Sequence, residues 1–188
     1  MKKRSLYNRD EMLKMNIDTL KERGVSLDEI AEVAYQQQAK WTRDISRKDC
    51  LDSVEKILSL RDTFHLLQLG CEIDRLTEEN LIREPLREIL HSDLGMFGID
   101  ELFGLEIAGL YGTIGRTNFG DIDVNKPLIV GQLNHDGKGK KPKCHTFLDD
   151  IVGAIAAAAS TRVAQITNEN EALKQPGYVP LQFDFEEE

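Results

Sequence analysis

No stretch of this chain is apolar for long enough to cross a bilayer. The longest apolar run, Ile151 to Ala159, spans nine residues, whereas a spanning helix needs about 20. A membrane role would therefore be played from the surface. Met1-Lys2-Lys3-Arg4 starts like a secretion signal, but Asn8, Arg9, Asp10 and Glu11 follow in place of an apolar core, so no such signal is expected. Cysteine is scarce: Cys50, Cys71 and Cys144, odd in number, widely spaced and without a CxxC pair. That excludes a disulfide framework and the usual zinc signatures, and it fits a reducing, cytoplasmic compartment. Basic excess is missing too. The net charge of −9 argues against a nucleic-acid partner, which selects a basic face. Prolines number five and aromatics make up 6%, so little interrupts helices and little favours strands.

What is present suits one all-α domain. The 188 residues are 40% hydrophobic and 30% charged, which is enough to bury a core. Residues 1–167 read as a single bundle of about six or seven helices. Residues 168–188 read as an acidic, flexible tail, with six acids against Lys174. Gly24 ends a first helix over 10–23. Ser26 with Glu29 and Ser46 with Asp49 make capping boxes that open the next two. Phe64 to Thr77 continues at helical spacing. Thr77 caps a further helix through Leu90, and Pro85 kinks it or delays its start. Residues 99–111 read as a buried helix. Residues 112–144, rich in glycine and lysine, read as a long loop with one short helix at Pro127–Leu133. Thr146 caps a last helix, 147–167, whose Gly153-to-Ser160 stretch is small on every face. Such a helix lets neighbours approach closely and belongs at the centre; it also permits a homo-oligomer.

Three acidic groups border these apolar segments: Asp100-Glu101, Asp121 with Asp123, and Asp149-Asp150. A carboxylate beside a core is costly unless paired or bound to a cation. Oxygen ligands of this kind suit a hard cation, Mg²⁺ where phosphate is also bound. Asp100-Glu101 and Asp149-Asp150 also sit where a helix starts, so each of these pairs could serve only as a cap. Spacing does not show whether the three converge. Lys138, Lys140, Lys141 and Lys143 could meet anionic lipid headgroups or simply be solvated. Gly112-Thr113-Ile114-Gly115, with Arg116, Thr117 and Asn118, could cradle an anion or form a plain turn. His145 could contact phosphate, or cap, or pack. Cys144 beside it lacks an orienting third group for a thiol nucleophile.

The segments Asp100-Glu101-Leu102-Phe103-Gly104, Asp123-Val124-Asn125-Lys126-Pro127 and Leu148-Asp149-Asp150 resemble, in this order, the DExxG, DxxKP and DD motifs of the phosphatidylglycerophosphatase A family. The stretch Tyr111 to Ala159, with His145-Thr146-Phe147-Leu148-Asp149-Asp150, is similar to a soluble branch that includes low temperature requirement C proteins. The likeness covers roughly residues 95–165. It implies an all-helical fold, Mg²⁺ dependence, and removal of the terminal phosphate from phosphatidylglycerophosphate or another small phosphorylated substrate. Carried over by position, Asp100, Glu101, Asp123, Asp149 and Asp150 would be metal ligands, and Asp149, Asp150, Asp123 and Lys126 catalytic. Lys126 would contact substrate, and His145, Arg116 and Asn118, read from their own chemistry, are expected to contact it as well. A non-catalytic metal- or phospholigand-binding protein of the same fold is the alternative.

Overall fold

The computed structural model describes residues 7–93, 97–137 and 143–177. These form nine helices and no strand: α1 Arg9–Glu22, α2 Leu27–Ala39, α3 Arg47–Leu58, α4 Arg61–Glu78, α5 Leu86–Ser92, α6 Ile99–Gly109, α7 Gly112–Asn125, α8 Leu128–Asp136 and α9 Leu148–Leu173. The two expected capping boxes are present, and Asn8 with Glu11 makes a third at α1. Each satisfies otherwise orphaned N–H groups at its helix start.

The Ala-rich helix is the axis of the bundle. Every residue from Leu148 to Thr161 is buried, and α2, α3, α4, α6, α7 and α8 all pack against it. Small side chains make this crowding feasible. At Gly153, an added Cβ would lie 3.2 Å from the Ile122 side chain. The helix runs past Thr167 to Leu173; residues 178–188 of the expected tail lie outside the described part.

Residues 112–125 are helical, which corrects the long loop expected there. Phe119 and Ile122 are buried on one face of α7 and pack into the core. That burial offsets the helix-weakening effect of Gly115 and Gly120. Gly115 has a positive use. A Cβ there would come within 2.2 Å of the Ala108 carbonyl oxygen, so glycine alone lets α7 lie this close to the end of α6. Gly104 does the same from the other side, since its Cβ would meet the Phe119 ring at 2.3 Å. Thr77 starts no new helix. It lies inside α4, where its hydroxyl donates to the Ile73 carbonyl.

The start of α9 is held from outside. Thr146 does not cap it; its hydroxyl donates to the Leu90 carbonyl at 2.6 Å. The acceptor is Asp74 on α4, fully buried, which receives the backbone N–H of Phe147 and of Leu148 at 3.0–3.3 Å. Beside it Arg23 pairs with Glu78 at 2.7 Å and donates to the Cys144 carbonyl, while Glu78 accepts the Cys144 N–H. The end of α1, the end of α4 and residues 144–148 are thereby tied together. This fixes the position of the first turn of α9.

Candidate active site

Five helix ends or flanks meet at one cavity of about 240 Å³. Helix α6 brings Asp100 and Glu101 in its first turn. Helix α7 brings Asp123 in its last turn and Lys126 just beyond it. Helix α9 brings Asp149 and Asp150, α8 brings Asn134, and the residue closing α5 is Asp93. The turn between α7 and α8 is backbone-strained: Lys126 has φ 43° and Leu128 φ 49°. A left-handed L residue costs about 1–2 kcal/mol, and such strain concentrates at functional sites. Gly131 accommodates the turn, because a Cβ there would lie 2.3 Å from the Lys126 carbonyl oxygen.

Lys126 is the charge centre of one half of the cavity. Its ammonium contacts Asp123 at 2.7 Å, Asp149 at 3.0 Å and Asp150 at 3.1 Å. Burial works against its charge, but Asp149 and Asp150 overcome that and hold its pKa above the usual lysine range. In the other half, ligand oxygens of Asp100, Glu101 and Asp150 all lie within 4.8 Å of one another. Oδ1 of Asp100 and Oε2 of Glu101 are buried there without a hydrogen-bond partner among the described residues.

Crowding of carboxyls shows in their titration. Burial, then the bond and charge of Glu101, push Asp100 up to about 7. Burial, partly offset by Lys126, raises Asp149 to about 6. Burial and the neighbouring Asp149 raise Asp150 to about 9. At neutral pH Asp150 holds its proton, Asp100 is in mid-titration and Asp149 is mostly ionised, unless another cation compensates them. Oxygen-only donors and unpartnered buried carboxyl oxygens are the chemistry a hard divalent cation requires, so these residues fit Mg²⁺.

The tertiary structure thus gathers Asp100, Glu101, Asp123, Lys126, Asp149 and Asp150. It does not gather Arg116, Asn118 and His145, the further residues expected to touch substrate. Arg116 is exposed and faces Glu106 at 3.7 Å. Asn118 donates to the hydroxyls of Ser160 and Thr161 on α9 and accepts from Gln37. Its segment is the opening of α7. His145 is buried with Nδ1 3.0 Å from the Leu133 carbonyl, and burial lowers its pKa, as befits a neutral ring donating to that oxygen. Asp121 pairs with Lys40 at 3.0 Å, away from the cavity. Cys144 is no nucleophile: burial beside Asp74 raises its thiol to about 12, and the thiol lies against Asp74 and the Leu90 carbonyl. Of the expected lipid-facing lysines, only Lys143 falls within the described residues, and it is exposed.

Sequence reasoning missed Asp74, Asp93 and Asn134. Asp74 left a trace, since it continues the buried line Leu67, Cys71, Asp74 of α4 at helical spacing. An acid on an apolar stripe is a candidate for a buried structural role. Asn134 follows the buried Val130 by four residues, a weaker trace. Asp93 left none.

Comparison with known proteins gives a consistent result. The family model described as phosphatidylglycerophosphatase A matches residues 21–165. The protein YpjQ of Bacillus subtilis (strain 168) is 40% identical over 84% of this chain and 87% of its own length. YutG of the same organism is 41% identical over 81% of this chain and 90% of its length. The crystal structure of low temperature requirement C protein from Listeria monocytogenes superposes with a TM-score of 0.78. It is 40% identical, covering 84% of this chain and 97% of that one.

Proposed function

Since the chain belongs to the phosphatidylglycerophosphatase A family, we propose that it is a Mg²⁺-dependent phosphatase. Its substrate would be a lipid phosphate such as phosphatidylglycerophosphate, from which it removes the terminal phosphate. One observation carries the reading. Three carboxyls from two helices, Asp100, Glu101 and Asp150, converge on one point with two buried oxygens left unpartnered.

Asp100, Glu101 and Asp150 would hold the cation. Bound there, Mg²⁺ would neutralise phosphate oxygens and acidify a water. Lys126 holds Asp123, Asp149 and Asp150 in one array and keeps their mutual repulsion in check. Asp149, raised to about 6, is matched to proton exchange near neutral pH and would take the proton of the attacking water. The water oxygen then bonds to phosphorus, the ester P–O bond breaks, and the leaving alkoxide takes up the proton that Asp149 received. Among the described residues no helix is long and apolar enough to cross a membrane, so a lipid substrate would be met at the membrane surface.

The alternative is a metal- or phospholigand-binding protein without catalysis, serving in membrane or cold adaptation. One observation favours it: the three carboxylate contacts of Lys126 match the three hydrogens of its ammonium, leaving none for phosphate. The test is phosphate release from phosphatidylglycerophosphate in mixed micelles, with Mg²⁺ and with chelator, beside the Asp149→Asn, Asp150→Asn double variant. Mg²⁺-dependent release that the variant lacks supports the phosphatase. Release no higher than the variant's rejects this lipid as substrate.

A further inference from the structure

Buried oxygens without a partner are rare, because each forfeits its hydrogen bonds to water. Among the described residues five buried side-chain N or O atoms have none, and three of these belong to residues lining the acidic cavity described above: Asp100 Oδ1, Glu101 Oε2 and Asn134 Oδ1. The first two belong to the carboxyl triad. The third comes from α8, outside the three acidic motifs, and is a neutral amide in a cavity otherwise lined by six carboxyl groups and Lys126.

The placement of Asn134 is supported on both sides. Its predecessor Leu133 is buried and gives its carbonyl to His145 at 3.0 Å. The helix then ends at Gly137, where a Cβ would meet His145 Cβ at 2.6 Å and its N at 2.8 Å. The last turn of α8 is therefore locked to the segment that leads into Asp149 and Asp150. The backbone that carries Asn134 is held in the same frame as those carboxyls, and a ligand held by two elements needs such a frame.

We infer that Asn134 supplies a neutral oxygen ligand to the divalent cation held by Asp100, Glu101 and Asp150. This rests on the cation-dependent reading above and adds a ligand to it. A neutral donor at this position has a chemical consequence. Amide oxygen completes the shell of a hard cation without adding a negative charge. A carboxylate in its place would hold the cation more tightly and repel an incoming phosphate.

The test is direct cation binding by the purified protein: Mg²⁺ by calorimetry and Mn²⁺ by paramagnetic resonance, each with and without inorganic phosphate. Circular dichroism and thermal unfolding establish that each variant is folded. Asn134→Ala should weaken cation binding by at least the roughly tenfold that losing even an outer-shell partner costs. Asn134→Gln, whose amide lies one methylene further out, should not restore it. Asn134→Asp should bind the cation more tightly than the native protein and bind phosphate less well once loaded. Native affinity in folded Asn134→Ala overturns the assignment while leaving the triad intact. If the native protein itself binds neither cation, the cation-dependent reading fails with it. If Asn134→Ala does not fold, Asn134→Asp decides: unchanged affinity for both cation and phosphate overturns the inference.

Discussion

Asp150 is the residue on which both halves of the cavity depend. It faces Lys126 on one side and Asp100 with Glu101 on the other. Asp150→Asn should remove a cation ligand and a lysine partner together. Cation affinity should fall by more than the roughly 10–100-fold typical of outer-shell losses, measured by calorimetry, and Mg²⁺-dependent phosphate release should fall with it. Unchanged affinity would show that the triad does not hold the ion. The same carboxyls set a pH dependence. Asp150 at about 9, Asp100 at about 7 and Asp149 at about 6 all stand above the ordinary 3.8. The folded state binds their protons more tightly than the unfolded chain. Their stabilising contribution is full below pH 3.8 and is lost as pH rises through these values, ending near 9. In chelator, thermal stability should therefore fall between pH 5 and pH 9. Added Mg²⁺ should restore most at the upper end, where the ligands lose fewest protons on binding. A metal increment that is flat with pH would contradict this.

At the scale of helices, the motif residues come together because neighbouring elements permit close approach and fixed entry angles. Helix α6 carries Asp100-Glu101 and α7 carries Asp123, and these two helices touch through Gly104 and Gly115. Gly104→Ala would place a methyl 2.3 Å from the buried Phe119 ring. Overpacking of this kind costs about 1–3 kcal/mol, to be read from denaturant unfolding, and weaker cation binding should accompany it as the two helices part. Asp74 plays the corresponding part for α9, accepting two N–H groups of its first turn. Asp74→Ala leaves those donors buried and unpaired, at about 1–3 kcal/mol. Cation affinity should drop although Asp74 is not in the cavity, since Asp149 and Asp150 begin the helix it anchors. A stability loss without an affinity change would separate the anchor from the site.

At the scale of the whole molecule, one helix of small residues serves as both core and platform. Because α9 is buried along Leu148 to Thr161, its first turn is enclosed by neighbouring helices, and two adjacent aspartates there are withdrawn from water. Taking such charges from water costs several kcal/mol each unless they are compensated. In the empty protein Lys126 compensates Asp149 and Asp150 only in part, as their raised pKa values show, and a bound cation would complete the compensation. Saturating Mg²⁺ should raise the unfolding midpoint, by roughly 2.7 kcal/mol of stability at a hundredfold excess over the dissociation constant. The Asp149→Asn, Asp150→Asn variant should gain nothing from Mg²⁺ in the same unfolding measurement.

The division between sequence and fold follows from range. Helical content, the capping boxes at Ser26 and Ser46, the central place of the Ala-rich segment and the acidic motifs are local patterns, carried by residues three or four apart and legible in the chain. Residues 112–125 read as loop because their glycines disfavour helix locally; burial of Phe119 and Ile122 against α9 outweighs that only in the folded molecule. Thr146 beside a helix start suggested a cap, yet Asp74, more than seventy positions away in the chain, takes the N–H groups. His145, Arg116 and Asn118 carry chemistry suited to phosphate, but packing turns each toward another partner. Whether the acids of the three motifs serve separately in their own helices or line one cavity is a question of distance in space. Periodicity does not encode that distance, and the packing of α6, α7 and α8 around α9 does.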